Sequence, residues 1–277
     1  MPIDGKIILY SLAKTFGSVL NIGICENTKS YIKSTEKNFT KLPVDEKMYY
    51  IKYSVKLAQC LMEYLEGITY FEYNMGNDNN IVHDFRLTWK KDNIAYISMA
   101  HTSINVQDII PEKIMKICKY KKNTNICKFY SEEYKKININ AYEKIKSKKK
   151  YSEINEKNKN TFILEPICNL VVNTLSKKRK CANNLYSHLL NEDNRIVFKL
   201  YKNKFTMYDF GIDLGDIESF RMKLNHGNEI TITFNNKTEF MLCLHTNASE
   251  IKEHLSVKFR TSFKNMDELF AVSSSSV

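Results

Sequence analysis

The sequence predicts an α/β fold, more closely described as α+β, with a helical N-terminal region and a β-rich C-terminal part. Apolar residues recur at helical spacing within residues 53–65. Two short alternating runs, 81–89 and 94–101, meet at a polar WKKDN turn, which is typical of a β-hairpin. From residue 196 onward, short alternating runs separated by turns such as NHGNE and NNKT predict strands.

The length of 277 residues suffices for one large domain or for a core with a smaller lobe. We divide the chain into residues 1–160, with the first helices, the hairpin and a lysine-rich segment, and residues 161–277, with further helices and the β-rich part. Together they are expected to form one intertwined globular domain. The net charge of +11 favours a polyanionic partner such as nucleic acid, although an AT-rich coding sequence also explains part of the lysine excess.

Several function classes are disfavoured by what the sequence lacks. It has no GxxxxGKS loop, GxGxxG, GxSxG or HExxH motif, and its 7 cysteines include no CxxC pair. These absences argue against an ATPase, a dehydrogenase, an α/β-hydrolase and a zinc protein. No apolar run approaches the roughly 18 residues of a membrane span, and the N-terminus does not resemble a signal peptide. We therefore expect an intracellular protein with no membrane partner, in the cytoplasm or with the nucleic acid it acts on.

The predicted helix within residues 53–65 leads directly into the hairpin. Its apolar stripe is predicted to consist of Val55, Ala58, Leu61, Met62 and Leu65. Glu63, Glu66 and Glu72 lie on its last turns or just beyond, close enough in sequence to the hairpin to donate a metal ligand. At about 100° per residue, Glu66 falls near the edge of the stripe, whereas Glu63 points toward solvent. Glu66 is therefore the candidate ligand.

The hairpin carries an acidic residue, Asp84, on its first strand. Alternation on the second strand puts Tyr96, Ser98 and Ala100 on one face. Hydrolysis of a phosphodiester with a hard divalent ion needs carboxylate oxygens on the ion, which Asp84 can supply. The same pattern also fits an ordinary edge or turn aspartate beside a packing alanine.

Exposed cations form the second set of candidate site residues. A helix starting at Pro111 is expected to bury Ile114, Met115, Ile117 and Cys118 and to point its lysines outward. Strand alternation places cations in pairs on two strands, a pattern that suits base or phosphate contacts. The candidates for DNA binding are Lys113, Lys116, Lys121, Lys122, Arg221, Lys223, Lys258 and Arg260.

Two separated segments resemble one known family. The run Ile97-Ser98-Met99-Ala100-His101 is similar to a strand of the HaeIII-type type II restriction endonucleases, and residues 240–259, FMLCLHTNASEIKEHLSVKF, are similar to their C-terminal strand, turn and strand. Such enzymes belong to the PD-(D/E)XK nuclease superfamily. The resemblance implies a mixed central sheet flanked by helices and magnesium-dependent, sequence-specific cutting of double-stranded DNA.

The resemblance also implies roles for individual residues. Asp84 matches the first acidic position, Ser98 falls where many relatives have Asp or Glu, and Ala100 falls where they have Lys. Magnesium would be held by Asp84, by the backbone near Met99 and by a carboxylate such as Glu66. His101 and Lys113 would steady the phosphate, and Asn247 lies in the C-terminal motif, where it either contacts a base or belongs to a structural turn.

Alanine at position 100 removes the ammonium that would orient the attacking water, a loss of about 10²- to 10⁴-fold in rate. Ala100 is either an introduced inactivating change or a natural loss, and the undisturbed flanking strand favours the first. Binding of DNA is expected to survive while cutting largely fails.

Other functions remain open from the sequence. The rival from another class is a non-catalytic nucleic-acid-binding or nuclease-inhibiting protein in which Asp84 is structural, and a third is an RNA-binding accessory factor. For a double-strand cutter, the need for two active sites favours a homodimer, although some members of the superfamily act as monomers.

Overall fold

The computed structural model describes residues 4–73, 84–90, 92–100, 107–176, 181–190, 195–212 and 214–276. The chain divides into two compact units, each drawn from separate stretches of sequence. The first consists of Met1–Ile104, Glu192–Ile212 and Asp267–Val277, and the second of Asn105–Asn191 and Asp213–Met266. The predicted boundary at residue 160 falls inside the second unit.

The first unit contains helices and a large sheet. The helices are α1 (Gly5–Lys14), α2 (Glu26–Thr40) and α3 (Val44–Tyr64), and a π-helical turn, Thr15–Val19, extends α1. The strands are β1 (Gly23–Ile24), β2 (Ile68–Tyr73), β3 (Phe85–Trp89), β4 (Asn93–Ala100), β5 (Arg195–Tyr201), β6 (Lys204–Asp209) and β11 (Ala271–Ser276).

These strands form a seven-stranded mixed sheet in the order β1-β2-β3-β4-β5-β6-β11. β2, β3 and β4 make an antiparallel meander, and β5 then pairs parallel to β4. β6 and β11 continue the sheet in antiparallel fashion. The predicted α+β class with a mixed central sheet flanked by helices is confirmed.

Aromatic and aliphatic side chains on one face of this sheet form the core of the first unit. Phe71 on β2 lies between Phe16 and Phe85, with ring centroids 5.2 and 4.9 Å apart. Ile97 and Met99 on β4 and Ile196 and Phe198 on β5 point into the same core. Odd-numbered residues of β4 therefore face the core, and the predicted shared face of Tyr96, Ser98 and Ala100 is confirmed.

The buried stripe of α3 differs from the prediction. Val55 is half-buried and Met62 is 42% exposed, whereas Tyr50, Tyr53 and Leu57 are buried. Tyrosine rings can enter the core because their hydroxyls reach polar partners, as when the Tyr53 hydroxyl donates to the Lys204 carbonyl at 2.8 Å. The buried face therefore includes tyrosines that a stripe of aliphatic residues does not predict.

The second unit combines helices with a four-stranded antiparallel sheet of order β10-β9-β8-β7. Its helices are α4 (Ile114–Ile117), α5 (Asn125–Ile145), α6 (Glu156–Lys159), α7 (Glu165–Leu175) and α8 (Ala182–Leu190), with 3₁₀ turns at Pro111–Lys113 and Tyr151–Glu153 and a π-helical turn at Asn160–Leu164. The strands are β7 (Phe220–Leu224), β8 (Glu229–Phe234), β9 (Glu239–Thr246) and β10 (Val257–Phe263). α9 (Met266–Leu269) follows, and its residues from Asp267 onward belong to the first unit.

One face of this sheet is buried by the helices. Tyr186 of α8 packs edge-on against Phe234 and Phe240, with ring centroids 5.0 and 6.2 Å apart. The predicted burial of Ile114, Met115 and Cys118 is confirmed, whereas Ile117 is only half-buried.

The serine-rich sequence of residues 273–277 predicts a frayed end, but the structure forms a strand there. Ser273 to Ser276 pair with β6 in antiparallel register. Serine is not among the residues that favour strands, and the hydrogen bonds with β6 account for this strand.

Within the described parts of the chain, no helix is both long and apolar enough to cross a membrane.

The buried face of α3 gives a direct test of the first unit's core. Leu57 is fully buried there, and Gln59 is exposed on the same helix. Leu57→Ala is expected to lower the free energy of unfolding by about 2–5 kcal/mol because it leaves a cavity. Urea denaturation measures this, and Gln59→Ala, the control, should change the free energy by less than about 0.5 kcal/mol.

Candidate functional site

Asp84 immediately precedes β3 and is tied to β4 through both its backbone and its side chain. Its N–H donates to the Ile97 carbonyl at 2.8 Å, and its Oδ2 accepts from the Met99 N–H at 2.6 Å. Strand amides lie within the sheet, so this carboxylate sits near the sheet plane at the end of β3. The next residue along β4 is Ala100.

A tyrosine pair lies close to the Asp84 carboxylate. Tyr31 of α2 stacks on Tyr73 of β2 with centroids 3.8 Å apart, and the Tyr73 N–H donates to Thr28 at 2.8 Å. Burial raises the pKa of Tyr73, and the negative charge of Asp84 raises it further. The Asp84 charge therefore favours the neutral, protonated form of the Tyr73 hydroxyl.

Ser98 and Ala100 lie on the face of β4 that points away from the core. Ser98 is only 5% exposed, whereas Ala100 is half-buried. The burial of Ser98 leaves little room for it to reach a bound metal, and the serine is engaged by contacts within the fold.

Glu66 is not brought to Asp84. It precedes β2, at the end of that strand remote from β3's first residue, and five strand steps of about 3.3 Å, or about 17 Å, separate Ile68 from Tyr73. The Glu66 carboxylate is exposed and pairs with Lys90 at 3.3 Å. The helical wheel selects Glu66 by its position on the helix. It carries no information about the direction of the strand that follows, so it cannot show that Glu66 is far from Asp84.

A different acidic residue, Glu72, lies at the end of β2 that is near Asp84. It is opposite Arg86 in the ladder, and the two side chains form a half-buried ion pair. Tyr73, the next residue, is opposite Phe85, which follows Asp84. The sequence does contain a signal for Glu72 as a candidate ligand. In a strand, Glu72 points to the face opposite Phe71 and Tyr73, away from the core.

The oxygen donors at this end of the sheet suit a hard cation. The Asp84 carboxylate and the Met99 carbonyl, which points to the same side of β4 as its N–H, are oxygen ligands of the kind that magnesium prefers. Among the described residues there is no group of three or more His, Cys, Asp or Glu side chains that could hold a metal alone. Magnesium sites commonly need only one or two carboxylates because substrate phosphates and water complete the shell.

Further predicted site residues are His101 and four of the lysines between positions 113 and 122. His101 lies outside the described residues. Lys113, Lys116, Lys121 and Lys122 belong to the second unit and are all exposed.

The paired cations of the second unit share one face of its sheet. Arg221 and Lys223 are on β7, Lys258 and Arg260 are on β10, and these strands are the two edges. The ladder places Arg221 beside Thr233 and Glu239, and Arg260 beside Cys243, on the side opposite the buried residues. We call these four residues the cationic face.

The members of the cationic face differ in their availability. Lys258 pairs with Asp108 at 2.8 Å, whereas Arg221, Lys223 and Arg260 are exposed. Asn247 follows β9, and its backbone N–H donates to the Ser256 carbonyl at 2.8 Å, which closes the turn before β10. Its backbone thus has a structural role, and its side chain is exposed.

Comparison with known proteins identifies one relative over the whole chain. Uncharacterized protein R607 of Acanthamoeba polyphaga mimivirus is 36% identical over an alignment of 299 residues that covers all of both proteins. No protein-family model matches the chain, and no solved structure matches it.

The Asp84 side chain gives a prediction about stability at the site. Asp84→Ala leaves the Met99 N–H without its acceptor and is expected to lower the free energy of unfolding by about 1–3 kcal/mol. Asp84→Asn keeps an acceptor oxygen and should cost less. Urea denaturation compares the two, with Asp92→Ala in the exposed hairpin turn as control. Equal losses from alanine and asparagine would show that the carboxylate charge, and not this hydrogen bond, stabilises the hairpin.

Proposed function

This chain belongs to the same family as the mimivirus protein R607, and we propose that it is a metal-dependent endonuclease that cuts double-stranded DNA at a specific sequence. The observation that carries the proposal is the bond between the Asp84 carboxylate and the backbone of Met99. It fixes an acidic side chain beside the strand residue that precedes position 100. These are the positions that the resemblance to HaeIII-type restriction endonucleases assigns to the metal ligand and the catalytic lysine.

The residues at this end of the sheet have distinct parts in such a reaction. Asp84 and the Met99 carbonyl would hold magnesium, and Glu72 is a further carboxylate whose charge Arg86 now offsets. Magnesium, when bound, lowers the pKa of water and offsets negative charge on the phosphate. The Met99 N–H keeps the Asp84 carboxylate in one orientation, so that little ordering remains to be done when substrate arrives.

The side chain at position 100 limits this chemistry. Ala100 has no ammonium to orient water or to oppose charge on the phosphate, so the chain is expected to cut more slowly than a lysine variant. DNA binding is expected to survive with alanine at this position.

The second unit offers a separate surface for the duplex. The cationic face presents Arg221, Lys223 and Arg260 on an open side of the sheet. Arginine and lysine there can neutralise phosphates, and arginine can also bond guanine O6 and N7 with two hydrogen bonds. This surface supports DNA as the partner.

Placing a lysine at position 100 tests the catalytic proposal. With Mg²⁺ and plasmid DNA, Ala100→Lys is expected to give discrete fragments with 5′-phosphate ends. Ala100→Lys/Asp84→Asn should cut at least about 10²-fold more slowly because the metal ligand is lost while the fold is kept. Gel analysis and end-mapping of the fragments measure both.

The outcome that contradicts the proposal is inactivity of Ala100→Lys while it still binds duplex DNA. That result would favour the alternative function, a non-catalytic nucleic-acid-binding protein in which Asp84 holds the hairpin together. Fragments that persist equally with Asp84→Asn would also exclude Asp84 as a metal ligand.

The cationic face gives a prediction about binding. Arg221→Ala/Lys223→Ala is expected to weaken duplex binding and to reduce the slope of log affinity against log salt by about 0.9 for each phosphate that the protein no longer neutralises. Fluorescence anisotropy over a salt series measures this. Lys33→Ala/Lys37→Ala, which removes the same charge from exposed positions of α2, is the control. Equal effects of the two variants would mean that only net charge matters.

A further inference from the structure

We propose that Lys199, on the neighbouring strand β5, is a catalytic residue and supplies the ammonium that position 100 lacks. The inference rests on the proposed nuclease function. It starts from the strand register, in which Lys199 of β5 is the direct partner of Ala100 of β4.

The two side chains point to the same face of the sheet. Met99 and its partner Phe198 both enter the core of the first unit. The residues that follow them, Ala100 and Lys199, therefore both point away from that core. Adjacent strands are about 4.8 Å apart, and a lysine has a flexible four-carbon stem. The Lys199 ammonium can thus occupy space above the Ala100 methyl group that a lysine at 100 would fill.

The Lys199 side chain has no visible structural task. Within the described residues its ammonium forms no ion pair or hydrogen bond, whereas Lys14, Lys90 and Lys258 are each paired with a carboxylate. Lys199 is nevertheless half-buried. An unpaired ammonium on this face is available to meet an anion when substrate binds.

Open space adjoins the ammonium. Lys199 lines a cleft of about 690 Å³ on the first unit, together with Thr206, Tyr208, Asp267 and Ser274. The Asp267 carboxylate accepts a hydrogen bond from the Tyr208 hydroxyl and so is already engaged. The lining residues of this cleft come from β5, β6, α9 and β11, so the cleft gives the Lys199 side chain room to move, while the link to Asp84 rests on the pairing of Lys199 with Ala100.

The chemistry assigned to Lys199 is electrostatic. Hydrolysis forms a bond from a water oxygen to phosphorus and breaks the bond from phosphorus to the 3′ oxygen, and one proton of the water ends on the 3′-hydroxyl. The ammonium keeps its three protons, donates hydrogen bonds to the phosphate and the attacking water, and opposes the negative charge of the transition state.

Exchange of the lysine between the two strands tests the inference. The unchanged chain is expected to cut plasmid DNA slowly with Mg²⁺, and Lys199→Met to cut about 10²- to 10⁴-fold more slowly still. Ala100→Lys/Lys199→Met should recover cutting because the ammonium returns from β4. Lys204→Met, at an exposed lysine that lines the same cleft, should cut like the unchanged chain. Urea denaturation of each variant shows whether a loss of cutting reflects unfolding.

The results separate this inference from the proposed function. If Ala100→Lys cuts while the unchanged chain and Lys199→Met are equally inactive or equally active, the nuclease stands and the role of Lys199 is overturned. If Lys199→Met is impaired and Ala100→Lys/Lys199→Met does not recover, replacement of one ammonium by the other is also overturned. If no variant cuts, including Ala100→Lys, the nuclease function itself fails and the inference fails with it.

Discussion

The parallel pairing of β4 with β5 is the constraint on which the first unit depends. It joins the antiparallel meander β2-β3-β4 to β5, β6 and β11, although 94 residues separate Ala100 from Arg195. Parallel neighbours require a long crossover, and here that connection runs through the sequence of the second unit. The same pairing fixes which residue of β5 stands beside each residue of β4, so it determines the composition of the candidate site as well as the continuity of the core.

Local features of this fold could be predicted from the sequence, because alternation and helical spacing are local signals. The hairpin around Asp84, the face shared by Ser98 and Ala100, and the strands β7 to β10 are of this kind. Relations between distant segments could not be predicted. The helical wheel favours Glu66 over Glu63 but does not give the direction of β2, which places Glu72 and not Glu66 near Asp84. The register between β4 and β5, which places Lys199 beside Ala100, is set by packing and not by any pattern within either strand. Likewise, β11 depends on an available edge at β6.

The candidate site combines rigid and adjustable groups. Asp84 is held by the backbone of β4, and Glu72 is held by Arg86, so both carboxylates have defined positions before any substrate binds. Lys199 has a long, flexible side chain on an adjoining strand. A site with fixed anions and a mobile cation can adapt to a phosphate more easily than it can adapt to a new metal geometry, because only the cation is free to move.

The position of the cationic face at the two edges of its sheet also affects solubility. β7 and β10 are edge strands, and edge strands with unpaired backbone groups can pair with strands of other molecules. Charged side chains on such strands oppose this association, since two approaching edges would bring like charges together. The outer edge of β10 is already covered, because Phe259 exchanges two backbone hydrogen bonds with Ile109 and the Thr261 N–H donates to Asp108. Arg221 and Lys223 are therefore expected to oppose edge-to-edge pairing at β7, whether or not they contact a ligand.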